Sequence, residues 1–384
     1  MNTSTTSATH TPTTDEDLIG QARPGHGIPS QDPNPAAQHA LAPGEAQREA
    51  NSALVGGGVV AGMSTGAVIG AGVAGPAGGM VGAALGAVAG TIGAAVAGPL
   101  LDTSDVTTTA KALTPTAQHV HLHIEDSGGA GRPLVLIHGW PLSAQSWAHQ
   151  VPVFQAAGYR VVAYDRRGFG RSDKPSSGYN YDTLADDLQS VMDQCGLQDV
   201  TLLGFSMGGG EVARYVGRWG QARLHSVVFA AAVVPYLMKT ADNPDGPLTQ
   251  EKAQQKKDAM ARDRSGYFDE FATNFFSANG LSLVDEVQRR QTVALCHQSA
   301  PHAALACMDA FAGTDFRDDL KQLSVPTLVI HGSADAIVPM EGSGQRTHRL
   351  VPHSHMRVLR DAPHGLNVTH AQAFNDAILS FMKP

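Results

Sequence analysis

Charge is missing from one long stretch of this 384-residue chain: Asn51 to Leu101 contains no Asp, Glu, Lys or Arg. Cysteine is scarce. Cys195, Cys296 and Cys307 are too few, and odd in number, for a disulfide framework, so each is expected as a buried thiol in a reduced, cytoplasmic interior. The first 50 residues lack the basic start and apolar run of a signal peptide. Positive charge is in deficit, with 27 Lys and Arg against 35 Asp and Glu, a net charge of -8 and a pI near 6.1, which argues against a nucleic-acid partner. What is present, 42% hydrophobic residues, is enough for a large α/β domain.

The most informative motif is Gly204-Phe205-Ser206-Met207-Gly208, which follows the apolar run Val200 to Leu203 and leads into the helix-like Gly209 to Tyr215. A serine on a strained strand-to-helix turn needs glycine on both sides, because a side chain at either flank would collide with the neighbouring strand or helix. A serine hydroxyl is a weak nucleophile at neutral pH. A His must take its proton and a carboxylate must orient that His. The run Pro326 to His331 has the composition of a buried parallel strand and ends in a loop that carries Asp335, the expected acid. The strand expected at Val227 to Val234 ends in Pro235 with no carboxylate, so that alternative position for the acid is empty.

After a short strand expected at Met356 to Arg360, His364 lies on the last loop between Pro363 and Gly365, ahead of a closing helix near His370 to Met382. Among 17 histidines it alone combines that position with turn-forming neighbours, and it is the expected base. His370 is the second candidate. His119, His121 and His123 alternate as metal ligands on one strand face would, but a single strand supplies poor tetrahedral geometry, and an edge strand with solvated histidines is expected instead. No metal is expected there. The run Leu134 to Ile137 ends in His138-Gly139-Trp140-Pro141, which predicts an oxyanion hole from the amides of Trp140 and Met207, with His138 structural and Pro141 restricting the geometry of Trp140. Asp165 to Ser172, the loop after a strand at Tyr159 to Tyr164, reads as an ion-pair network rather than chemistry.

Five segments in order, His138 to Ser143, Tyr164 to Ser172, Gly204 to Glu211, His331-Gly332-x-x-Asp335 and Ala362 to Gly365, resemble the cofactor-free bacterial haloperoxidases. These are also described as non-haem chloroperoxidases, perhydrolases and related aryl esterases of the α/β-hydrolase fold. The resemblance covers about residues 116 to 384. It implies a mostly parallel, doubly wound sheet, no haem or metal, and an acyl-serine that hydrogen peroxide converts to a peracid, which then oxidises halide. It also implies hydrolysis of simple esters, and Trp140-Pro141 resembles the perhydrolase form of the oxyanion turn. The partners so implied are a small carboxylic acid or ester, hydrogen peroxide and halide. A plain carboxylesterase is the nearest alternative; dehalogenases and epoxide hydrolases of this fold place Asp at the elbow.

Charged, helical sequence from about 236 to 319 predicts a cap inserted after the sixth core strand, with helices at Gln250 to Arg264, Tyr267 to Phe276 and Leu283 to Leu295. Phe268, Phe271, Phe275 and Phe276 either line an acyl pocket or pack the cap onto the sheet.

The N-terminal third reads differently. Residues 1–50 are expected to be disordered and 102–115 a linker. Between them, Gly58, Gly62, Gly66 and Gly70, then Gly78, Gly82, Gly86 and Gly90, form two stripes separated by Pro76, the pattern of a Gly/Ala-rich helical hairpin. Each glycine costs a helix about 0.5 to 1 kcal/mol relative to alanine, so such helices need close partners or lipid. Homo-oligomer assembly, membrane association and a flexible tether are the three readings; in the second, the hydrolase domain would be a passenger on an assembly protein.

Overall fold

The computed structural model describes residues 120–383. The expected hairpin at 51–101, the segments 1–50 and 102–115, and His119 lie outside the described residues.

Seven strands form one sheet in the order β1-β3-β2-β4-β5-β8-β9. They are β1 (Ile124–Asp126), β2 (Pro133–Ile137), β3 (Arg160–Tyr164), β4 (Val200–Phe205), β5 (Leu224–Ala230), β8 (Thr327–Gly332) and β9 (His355–Leu359). The short strands β6 (Ser277–Ala278) and β7 (Leu281–Ser282) pair separately. Only β1 runs antiparallel within the large sheet. Helices cover both faces of such a sheet, which is why β2 is an unbroken apolar run and why every residue of β4, Thr201 included, is buried.

The order of the strands fixes where a site forms. From β2 the chain moves outward to β3, then returns past β2 to β4, so the winding direction reverses between β2 and β4. At such a reversal a crevice opens beyond the carboxyl ends of the strands. Ile137, the last residue of β2, pairs with Gly204 of β4, so His138-Gly139-Trp140 and Ser206 emerge side by side into that crevice.

Before the cap come α1 (Val151–Ala156), α2 (Tyr181–Gln194) and α3 (Met207–Trp219). The cap contains α4 (Gln250–Arg262), α5 (Arg264–Phe276), α6 (Glu286–His297) and α7 (Pro301–Gly313). Four helices follow: α8 (Arg317–Lys321), α9 (Gly344–Leu350), α10 (Leu366–Thr369) and α11 (Ala371–Met382). Side chains that accept from the first free amides start several of them: Asn180 caps α2, Thr249 caps α4, Asp263 caps α5 and Asp285 caps α6. Among the described residues no helix is long and apolar enough to cross a membrane.

Several expectations shift. The strand expected at Val227 to Val234 runs from Leu224 to Ala230, because Ala231, at φ +44°, leaves the extended region and ends the ladder. Five described strands of the sheet, not six, precede the cap. The first cap helix stops at Arg262 because Asp263 caps the next one, and α7, opened by Pro301, was not anticipated. Cys195 is half-buried at the C-cap of α2, whereas Cys296 and Cys307 are fully enclosed. His121 and His123 precede β1 instead of lying in a strand, and their backbones bond to the loop at Asp165–Asp173.

Candidate active site

Ser206 is the N-cap of α3, and its backbone sits at φ 54°, ψ -118°, outside the regions open to most side chains. The two flanking glycines make this turn possible by close approach. A Cβ on Gly204 would stand 2.4 Å from the Gly208 carbonyl oxygen, and one on Gly208 would stand 2.4 Å from the Ile137 carbonyl oxygen. Backbone cannot yield at that distance. A serine at an N-cap ordinarily accepts from its own helix, but the Ser206 hydroxyl makes no capping bond and is turned away from α3.

That hydroxyl meets His364, whose Nε2 lies 2.9 Å from Ser206 Oγ. On the other side of the ring, His364 Nδ1 lies 2.7 Å from Asp335 Oδ2. Asp335 is held by two backbone donors, with Ile337 N–H at 3.0 Å and Val338 N–H at 2.9 Å on Oδ1. His331 Nε2 approaches Oδ2 at 3.3 Å. Burial alone would raise the Asp335 carboxyl, but the His364 and His331 rings outweigh it and hold the pKa well below the usual carboxylate range. Asp335 is therefore an anion at neutral pH. The structure thus brings Ser206, His364 and Asp335 into one hydrogen-bonded line. His370 is not part of it, since its Nδ1 bonds Thr369 Oγ1 at 2.9 Å just ahead of α11. The contact of His331 with the acid had no signal in the sequence beyond its spacing four residues before Asp335.

Gly139 presses against this line: a Cβ there would lie 2.8 Å from the Phe205 ring and 3.0 Å from Ser206 Cβ. Trp140 follows directly, joined to Pro141 by a cis peptide, and lines the same cavity as Ser206 and His364. Met207 opens α3, so its amide is among the helix N-terminal donors that have no acceptor within the helix. The indole N–H of Trp140 donates to the Ala304 carbonyl at 3.0 Å, and its ring meets Tyr267, Phe268, Phe271 and Phe311 edge to face. The turn is thereby pinned to the cap.

Beneath the elbow lies a buried polar network. Arg166 pairs with Glu211 in the second turn of α3, and the Tyr164 hydroxyl donates to the same carboxylate at 2.6 Å. Arg166 also donates to the His138 carbonyl at 2.6 Å, and its backbone N–H donates to His138 Nε2 at 2.9 Å. Burial, reinforced by the Arg166 charge, holds His138 well below the usual imidazole range, so it stays neutral and fixes the turn. Arg167 forms a two-pronged pair with Asp187 at 2.6 Å for both contacts. The Asp165–Ser172 loop is an ion-pair network, as its sequence suggests. Glu211 was not identifiable as its hub from sequence.

Above the serine is a cavity of about 400 Å³ between the sheet and the cap. Of the four phenylalanines singled out from sequence, Phe271 lines it. Phe268, Phe275 and Phe276 are core residues instead, and the Phe275 ring stacks edge-on against His364 at 5.5 Å between centroids. The wall also includes Tyr267, Met308 and Phe311, which sequence reasoning missed because they project from two separate helices. Among the described residues no group of three or more His, Cys, Asp or Glu side chains is arranged to hold a metal ion.

Residues 132–371 match the alpha/beta hydrolase fold family. The chain is 43% identical over 266 residues to a putative non-heme chloroperoxidase of Synechocystis, spanning 69% of this chain and 95% of that one. It is 35% identical over 273 residues to a bifunctional esterase/perhydrolase of Acinetobacter calcoaceticus, spanning 70% and 98% respectively. The crystal structure of a bromoperoxidase from Bacillus anthracis is similar at a TM-score of 0.68 with 48% identity, covering 69% of this chain and 96% of that one.

Proposed function

The chain belongs to the α/β-hydrolase family of enzymes, in its non-haem haloperoxidase and esterase group, and on that premise we propose that it is a serine acyltransferase that passes acyl groups to hydrogen peroxide and to water. The observation that carries this reading is the hydrogen-bonded line from Ser206 Oγ through His364 to Asp335 at the floor of the cavity. His364 takes the proton as Ser206 attacks a carboxylic acid or ester, and water or an alcohol leaves. The Trp140 and Met207 amides stabilise the tetrahedral oxyanion. Hydrogen peroxide then attacks the acyl-serine, giving a peracid and free Ser206. The peracid oxidises a halide ion to hypohalous acid and returns the carboxylate.

Peroxide is the better nucleophile, so a site that already stabilises this oxyanion needs one further acceptor to favour it over water. The Trp140 carbonyl, in the turn that Pro141 shapes, is that acceptor. Pro141→Leu is accordingly expected to depress perhydrolysis more than ester hydrolysis; equal losses would leave Pro141 with a supporting role only. Plain carboxylesterase activity is the second reading, favoured by the joint name of the Acinetobacter relative.

The decisive assay follows p-nitrophenyl acetate hydrolysis and, separately, bromination in the presence of acetate, peroxide and bromide. Both activities are expected and both should vanish in Ser206→Ala. Bromination that survives Ser206→Ala would overturn the acyl-serine route, and hydrolysis without bromination would leave the esterase.

A further inference from the structure

The apolar cavity above Ser206 has a charged mouth. Ser206 and His364 at its floor are buried, whereas four polar residues that line it, Lys252, Lys256, Glu270 and Asn274, are exposed. Lys252 and Lys256 lie one turn apart on α4, and Glu270 and Asn274 lie one turn apart on α5, so each pair shares a helix face. Both faces line the cavity, and their exposure marks its solvent side.

The lysines differ from their neighbour on the same helix. Lys257 bonds both carboxylate oxygens of Asp309 at 2.7 Å. Among the described residues, neither Lys252 nor Lys256 has a carboxylate within ion-pair distance. Although the Lys256 side chain as a whole is exposed, partial desolvation of its ammonium depresses its pKa, and the nearby positive charge of Lys252 acts in the same direction while Glu270 opposes both. The balance at the mouth is two cations to one anion. A cation partly removed from water and lacking a close counter-charge is a ready partner for an incoming carboxylate.

We propose that this mouth is an anion subsite, and that the enzyme takes esters or acids carrying a second carboxylate remote from the reacting carbonyl. Lys256 is the principal contact, Lys252 supports it, and Glu270 repels the same group and so limits the affinity. The inner wall of Tyr267, Phe271, Met308 and Phe311 holds the connecting methylenes. The proposal rests on the acyl-serine reading, because it orients the substrate carbonyl toward Ser206.

Two matched substrates test it: mono-p-nitrophenyl glutarate, with a free carboxylate, and its methyl ester, which is neutral. In Lys256→Gln the ratio of kcat/KM for the acid over the methyl ester should fall about twofold to fivefold, mainly through KM, as expected for loss of one partly solvated ion pair. In Glu270→Gln the same ratio should rise. Added salt should compress the ratio in the wild type. An unchanged ratio in Lys256→Gln, or a fall in Glu270→Gln, overturns the subsite.

If the wild type turns over neither ester, the acyl-transfer reading fails, and the subsite is decided by calorimetry on the Ser206→Ala protein with glutarate. Weaker glutarate binding when Lys256→Gln is added supports it; equal binding overturns it.

Discussion

Ser206 and Phe271 both line one cavity, the first on the elbow that follows β4 and the second in the cap, and the two sides are built by different means. On the sheet side the geometry is made by backbone: Gly208 against the Ile137 carbonyl, Gly139 against Ser206, and Gly332, whose Cβ would stand 2.2 Å from the Ala362 carbonyl, between the acid and base loops. On the cap side it is made by side chains. The Tyr267, Phe271 and Phe311 rings around Trp140 are half-buried, and Lys252 and Lys256 of α4 are exposed. Backbone contacts at these distances tolerate no added atom, while side-chain walls change shape with a single substitution. The floor of the cavity is therefore suited to fix the reaction, and the roof to choose what undergoes it.

The sharpest way to break that contrast is at the floor. Ser206→Ala or His364→Ala should lower ester turnover by about a millionfold, the cost typical of losing the nucleophile or base of such a unit, as read from kcat in steady-state assays. Loss of less than a hundredfold would mean that another residue carries the acyl group.

Asp335→Asn should cost about ten thousandfold in kcat, because the carboxylate no longer holds the His364 tautomer. It has a second signature in pH. The folded-state pKa of Asp335 is depressed, so its ionisation adds stability that is fully present above the unfolded value near 3.8 and is lost as pH falls below it toward the folded value. Urea unfolding should therefore show the stability advantage of wild type over Asp335→Asn holding down to about pH 4 and shrinking as the pH falls further.

Glu211→Ala should destabilise the fold by about 3 to 5 kcal/mol, since it leaves the Arg166 charge buried without its partner. Denaturant titration measures this, and a loss under 1 kcal/mol would mean that water replaces the carboxylate.

At the roof the effects should be smaller and selective. Phe271→Ala enlarges the cavity and should shift preference toward longer acyl esters by about tenfold to a hundredfold, the scale of one methylene in an apolar pocket. Equal changes across chain lengths would make Phe271 a packing residue only. The smallest effect is expected from removing everything before Ala112: esterase activity should be retained within about twofold, because floor and roof both lie beyond it. Light scattering of the full chain, this truncation and variants with leucine at the glycine stripes would then show whether residues 51–101 assemble protomers.

Some of this was legible in the chain because the chemistry is local there. Gly204-x-Ser206-x-Gly208 needs only its own neighbours to force the elbow, and apolar runs such as Leu134 to Ile137 can be read as strands because both of their faces must be covered. Asp335 and His364 were legible by order, each on the loop after a recognisable strand. The cap was harder. Its helices are weakly periodic and α7 carries a single charged residue, so α7 and the boundary at Asp263 had no clear signal, and of the four phenylalanines that could line the pocket or pack the cap, three pack the core.

The sequence by itself therefore determined the glycine-flanked elbow that carries the serine, the loops on which its candidate acid and base lie, and the family to which the chain belongs. Each follows from a short pattern whose physical requirement lies within a few residues. Only the tertiary structure decided which side chains face the cavity, that His331 touches Asp335, that Glu211 anchors Arg166 beneath the elbow, and that Lys252 and Lys256 stand at the mouth. Those contacts join residues far apart in the chain, and their existence depends on how helices pack over the sheet, a three-dimensional fit that no local pattern encodes.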